Sequence, residues 1–464
     1  MKNAVGLLVI ALHVHAAEFS EQFEAIAKSA SPSELYSLLF ALPKGGDLHH
    51  HNGLSVYADV WYALATSAKT LQRNNFYTLS KYRACPDTHE SVPEFATIQR
   101  STYDALSDCQ KSQFQPLTDL TPELKAAWKS SLILDRPGEG RDEFFERIGK
   151  RLGDLSHDPY LVADVLVEDM RLLGAEGVRY IEGQTSPENY RNSRGQPLTD
   201  EEASRIMCDR LKEPDAVHTA VEMRFQDVII RFRPDAEQKL QQAYSWVAKH
   251  HDQWVGINMA GREDNDKGYA LRFLKTFRKM RALYGDIPLS IHAGEKDSPG
   301  REVRDTLLLG ATRIGHGLNL ITDPDTMLLM RYSRYLVEIN LISNRLLEYV
   351  PDLARHPFPE YLRTGIPVCL NTDDRGSWDS NMTDEYYTAL TTFHLTWPEI
   401  VQLGRNSLSY SFAEAPLKKR LLREYEAAVA AFESRYSGPD WREKLKEIKP
   451  LTSGYARRVW GLHE

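Results

Sequence analysis

The chain has 464 residues, with 57 Lys and Arg against 65 Asp and Glu and a formal charge of −8. A composition of 42% hydrophobic and 10% aromatic residues, without a block of like charges, excludes a disordered chain. The acidic balance argues against a nucleic-acid binder, and four cysteines exclude a disulfide-dense scaffold while leaving room for one or two bridges.

Lys2 precedes an apolar run over 4–12, followed by small residues with Val14 and Ala16 at the −3 and −1 positions of a cleavage site. This reads as a secretory signal over 1–16 and predicts a secreted or periplasmic protein; the alternative is an uncleaved N-terminal helix. The run is far short of the roughly 20 residues that cross a membrane, and no other stretch approaches that length. Cleavage would also remove His13 and His15, whose spacing imitates a metal-binding pair.

A short helical arm is expected over 17–42. From Pro43 onward, short β-prone runs alternate with helical patterns, the signature of βα units. The runs fall at 46–51, 178–182, 221–230, 255–259, 289–292, 313–316, 335–340 and 367–372, with helices between them, for example at 159–173 and 271–283. Eight such units predict a TIM (β/α)₈ barrel over 43–436, whose active site lies at the C-terminal ends of its strands. The competing doubly wound sheet lacks a Gly-x-Gly-x-x-Gly after its first strand.

The connection from residue 51 to residue 178 is far longer than an ordinary βα loop, so it predicts an inserted subdomain over about 70–118. That stretch is polar and contains Cys85 and Cys109. In an exported protein the two can bridge, worth about 3 kcal/mol; otherwise both stay free. Cys369 falls in a predicted strand and reads as a small core residue. The charged segment 437–464 reads as a docked extension or a partly mobile tail, and Asn381-Met382-Thr383 is a glycosylation sequon.

Metal-ligating and acid–base side chains recur at the predicted strand ends. The first ends in His49-His50-His51, and alternation along a strand puts His49 and His51 on one face and His50 on the other. The fifth ends in His292-Ala293-Gly294-Glu295, where Gly294 permits the sharp turn that returns Glu295 to the mouth. The sixth ends in Gly315-His316-Gly317 and the eighth in Asp373-Asp374. Three imidazoles and a carboxylate suit a catalytic zinc that also holds water. Alone, the His triplet reads equally well as a surface accident, and the other three motifs read more readily as structural or solvated residues; four at one predicted mouth do not.

These segments, with Pro43 to His51, Met259 to Asp264, Arg313 to Gly317 and Asn371 to Asp374, resemble the adenosine deaminase family of the amidohydrolase superfamily, over about 40–430. Glu338 to Leu347 and the cysteine-containing insert resemble its long secreted branch, the adenosine deaminase-related growth factors. The resemblance implies one Zn2+ per chain on His49, His51, His292 and Asp373. It makes Glu295 the acid at purine N1, His316 the group that orients or deprotonates the water, and Asp374 the partner of hydroxide and purine N7. The Gly261 N–H would meet N3, and Asn52, where relatives place an acidic residue, would contact the ribose. Cytidine-deaminase chemistry is excluded by the absence of Cys-x-x-Cys.

The expected activity is hydrolysis of adenosine or 2′-deoxyadenosine to the inosine product and ammonia. Arg262 and Arg375 depart from the family pattern near the mouth and raise AMP or another anionic purine as an alternative substrate. Their other reading is loop arginines paired with Glu263 or Asp379. Adenine, a 6-substituted purine, or a binding or growth-factor-like role on a deaminase scaffold remain as further readings. Family relatives include dimers, so a homodimer stays open.

Overall fold

The computed structural model describes residues 19–85, 92–265 and 267–463; the expected signal, with His13 and His15, lies outside them. The first barrel strand, β1 (Gly45–His51), is followed by three short strands, β2 (Phe76–Leu79), β3 (Thr97–Gln99) and β4 (Phe114–Pro116). Seven more barrel strands come next: β5 (Val178–Thr185), β6 (Glu222–Ile230), β7 (Trp254–Ala260), β8 (Leu289–Ala293), β9 (Arg313–His316), β10 (Leu336–Ile339) and β11 (Val368–Leu370).

The barrel strands are parallel and run in the order β1, β5, β6, β7, β8, β9, β10, β11, with helices in the connections. All eight predicted runs are found, and the fold is the TIM barrel of the amidohydrolase type. The circle closes just beyond β11, where His50 pairs with Asp373. There the His51 amide donates to Asp373 O at 3.2 Å and the Asp373 amide to His49 O at 2.9 Å.

Local chemistry fixes the outer layer. The helix Pro159–Ala175 starts where the Asp158 carboxylate accepts from the amides of Tyr160 and Leu161, with Pro159 in its first turn, as capping preferences require. Its buried Leu161, Val165, Leu166 and Leu173 line the stripe that faces the sheet.

The long first connection holds helices and a separate antiparallel sheet in the order β3, β2, β4. Cys85 and Cys109 are joined beside it, with Cα atoms 5.8 Å apart. Cys369 is buried in β11 and Cys208 is partly buried, both as free thiols. The N-terminal arm is helical over 19–29 and Pro32–Ala41, and Phe19 and Phe23 pack on Trp397. The C-terminal segment is docked: Trp441, Leu445, Tyr455 and Leu462 are buried, and the Tyr455 amide donates to Asp379 O at 2.7 Å.

The sequon reading is corrected, because Asn381 is 1% exposed and caps the helix Met382–Phe393, donating through Nδ2 to Leu451 O at 2.9 Å. Among the described residues no helix is long and apolar enough to cross a membrane.

Candidate active site

The alternation expected for β1 holds. His50 points outward into a buried network with Asp169, Asp47 and Thr372, whereas His49 and His51 turn toward the axis. Asp373 Oδ1 lies 3.3 Å from His49 Nε2 and 3.2 Å from His51 Nε2, and His51 Nε2 lies 3.3 Å from His292 Nε2. Two facing ring nitrogens and a shared carboxylate oxygen are the shape left around a cation. A tetrahedron with metal–ligand bonds of about 2.0–2.1 Å has edges of about 3.3–3.4 Å, and these contacts match it. His49 Nε2 has no hydrogen-bond partner although it is buried, so the donor set fits a zinc-type ion.

His316 belongs to the same cluster as His49, His292 and Asp373, and Asp374 to a second with His51 and Asp373. Gly315 makes room for them: a Cβ there would stand 2.7 Å from His49 Cε1. Beneath the cluster, Glu338 Oε2 accepts from His49 Nδ1 at 2.7 Å. That bond places the proton on Nδ1 and leaves the Nε2 lone pair for a cation, as outer carboxylates do in metal sites.

Glu338 is itself fixed by Ser290 Oγ at 2.8 Å and Arg313 Nε at 2.6 Å, and Arg313 reaches Glu182 at 2.8 Å. Burial opposes a charged His49, yet its contacts with Asp373 and Glu338 push it up to about 10. The Asp373 and Glu338 carboxylates therefore favour a cation beside that ring, either a second ring proton or a metal ion in its place. Asp373, despite burial, is held well below the usual carboxylate range by His49 and His51.

Glu295 faces this cluster and is 4% exposed. Burial, reinforced by Asp373 and Glu263, raises its carboxyl well above the ordinary range, the condition for a neutral acid beside a cation. Gly294, at φ 82°, supplies the turn, and the amides of Gly294 and Glu295 donate to Glu263 at 2.9 and 3.4 Å. His316 Nε2 lies 3.6 Å from Glu295 Oε2, and burial lowers the imidazole to about 3, which keeps it neutral. Burial and Asp373 likewise raise Asp374. Gly261 follows β7 directly, and Asn52 is 2% exposed with both amide atoms unpartnered.

Both arginine readings change. Arg375 is fully buried and points away from the mouth, 2.6 Å from Asp169 and 3.3 Å from Glu176. Its position after Asp374 placed it near the site in sequence, but the first turn of Arg375–Trp378 carries its side chain outward. Arg262 does sit at the rim, where it pairs with Asp264 at 2.6 Å and Asp142 at 2.7 Å rather than with Glu263. Glu263 serves Arg231, 3.6 Å away, and the Glu295 turn. The supporting roles of Glu338, Arg313, Glu263 and Arg231 were not read from sequence, although Arg313 and Glu338 fall in the resemblance motifs; the signal for those two was a charged residue within a predicted strand.

The adenosine deaminase family model matches residues 154–428, more than half of the chain. Adenosine deaminase of Enterococcus faecalis is 37% identical over 172 residues, which cover 37% of this chain and 49% of that protein. The match thus spans about half the length of that relative. N6-methyl-AMP deaminase of Danio rerio is 26% identical over 301 residues, covering 63% of this chain and 84% of that protein. The structure of Arabidopsis ADAL complexed with IMP superposes with a TM-score of 0.63 at 19% identity, over 85% of this chain and 99% of that one. A family match of this extent, on a barrel carrying its motifs at the strand ends, means that the chain belongs to the adenosine deaminase family.

Proposed function

We propose that the protein is a metal-dependent deaminase that converts adenosine or 2′-deoxyadenosine, with one water, into the corresponding inosine and ammonia. The observation that carries this reading is a buried Glu295, its carboxyl raised by that burial, facing a convergent set of three imidazoles and a carboxylate. His49, His51, His292 and Asp373 would hold the ion, and imidazole with carboxylate ligation suits zinc. When bound, such an ion brings the pKa of water to about 7.

The chain's own residues do the rest. C6 of an aminopurine is a poor electrophile until N1 is protonated, and Glu295 holds that proton in a water-excluded pocket. His316 faces both the cluster and Glu295 and orients the reacting water. The proton released by water passes to the departing amine, while Asp374, raised by burial and by Asp373, hydrogen-bonds the reacting oxygen and purine N7. Gly261 offers its N–H to N3, and the unpartnered amide of Asn52 is available to the sugar.

Pairing of the arginines supports a neutral substrate. A 5′-phosphate needs a cation that is not already satisfied, whereas Arg262 has three carboxylate partners and Arg375 two. The bridge between Cys85 and Cys109 and the N-terminal apolar run support export to an oxidising compartment. The test is a panel of adenosine, 2′-deoxyadenosine, adenine, AMP and N6-methyl-AMP on zinc-loaded protein, followed by ultraviolet absorbance. Turnover of AMP or adenine without turnover of adenosine would overturn the substrate assignment.

A further inference from the structure

A line of hydrogen bonds runs from a backbone amide to His316 and has only one consistent direction. The Phe358 amide donates to His356 Nδ1 at 3.1 Å. A backbone N–H can only donate, so His356 Nδ1 must be the acceptor and its ring proton lies on Nε2. That nitrogen is 3.1 Å from Asn344 Oδ1, which fixes the amide with Nδ2 toward His316 Nδ1, 3.0 Å away. Asn340, one helical turn before Asn344, places its own Nδ2 3.3 Å from Nδ1 and 3.4 Å from Nε2 of His316, so the direction is set by Asn344 and not by Asn340. His356 is 2% exposed, and burial keeps it neutral, as the chain of donors requires.

We infer that His356 and Asn344 are positioning residues that fix the tautomer of His316, leaving its proton on Nε2, the nitrogen that faces Glu295. Two consequences follow. His316 has no lone pair to offer a cation, since Nδ1 is occupied by Asn344 and Nε2 is protonated. This explains how a histidine inside the cluster stays outside the ligand set. It also makes His316 a hydrogen-bond donor to the reacting water rather than its base. The use of the ordered proton rests on the deaminase reading above; its location does not.

The test uses zinc-loaded protein labelled with 15N in its histidine rings, with the His316 signals identified by their loss in His316→Gln. In the wild type, Nε2 should carry the proton and Nδ1 the lone pair. Asn344→Asp presents only acceptors to Nδ1 and should move the proton there. His356→Leu should lower kcat for adenosine by about 10- to 100-fold, in the range of outer-shell losses, with KM unchanged, and His356→Gln, which keeps an N–H toward Asn344, should restore most of it. His316→Gln should retain a full complement of zinc.

A wild-type proton on Nδ1 would overturn the inference, as would an unchanged tautomer in folded Asn344→Asp. If the variants do not fold, the wild-type spectrum alone decides. A protein that deaminates adenosine with its proton on Nδ1 keeps the function and loses the relay. One with no deaminase activity, but with the proton on Nε2 and displaced in Asn344→Asp, keeps the relay and loses the function.

Discussion

The two ends of the barrel differ in a way that cavity size does not predict. At the N-terminal end a cavity of about 1070 Å³ is lined by Pro43, Gly45, Gly177, Val221, Leu421 and Phe432. Its charged residues include ordinary ion pairs, such as Arg420 with Glu222. The opposite end concentrates His49, His292, His316, Glu295, Asp373 and Asp374 in a space where each is at most 4% exposed, and two of them, His316 and Asp373, have positive φ. Such backbone is sustained only where surrounding contacts over-determine it. Volume marks where a chain packs loosely; convergent, desolvated titratable groups mark where it does chemistry.

The contrast can be broken or sharpened by experiment. His292→Ala should abolish both metal retention and turnover, read by metal analysis and adenosine absorbance; retained metal with activity would place the centre elsewhere. Glu295→Gln should keep the metal but lower kcat by about 10²- to 10⁴-fold. Because the folded pKa of Glu295 is raised, the active, protonated acid is lost as pH rises through it, so wild-type kcat should decline toward high pH. Glu338→Gln should weaken metal affinity by about 10- to 100-fold through the His49 tautomer, measured by competition with a chelator. At the other end, Leu421→Trp should change stability by no more than about 1–3 kcal/mol and leave kcat unaltered.

The barrel was legible because most strands are apolar, β-prone runs bounded by turn or helix signals, and β1 (GGDLHHH) and β9 (RIGH) fall into the same alternation with helical segments. The sheet of β2, β3 and β4 was not, since strands of three or four residues are too short to establish an alternation. The residues that converge at the mouth were found because His and Asp at strand ends are conspicuous. Their supports were not. Glu338 and Arg313 sit inside strands, where sequence gives no means of seeing that one satisfies the other across the barrel. Arg375 shows the complementary failure: adjacency to Asp374 suggested a role at the mouth, but one helical step turned it to the opposite side. His356 lies 40 residues beyond His316 and reaches it only through Asn344.

Closure of the barrel has a consequence for the order of assembly. The hydrogen bonds that seal the circle are made by His49, His51 and Asp373, and Ser55 reinforces the seam by donating to Asp373 O across a separation of 318 residues. A nascent chain therefore has no complete set of the proposed ligands until its eighth strand has docked against its first, the slowest kind of contact to form. Metal capture becomes a checkpoint: an ion retained at this seam certifies a finished barrel, and a chain stalled before residue 373 lacks the carboxylate that bridges His49 and His51.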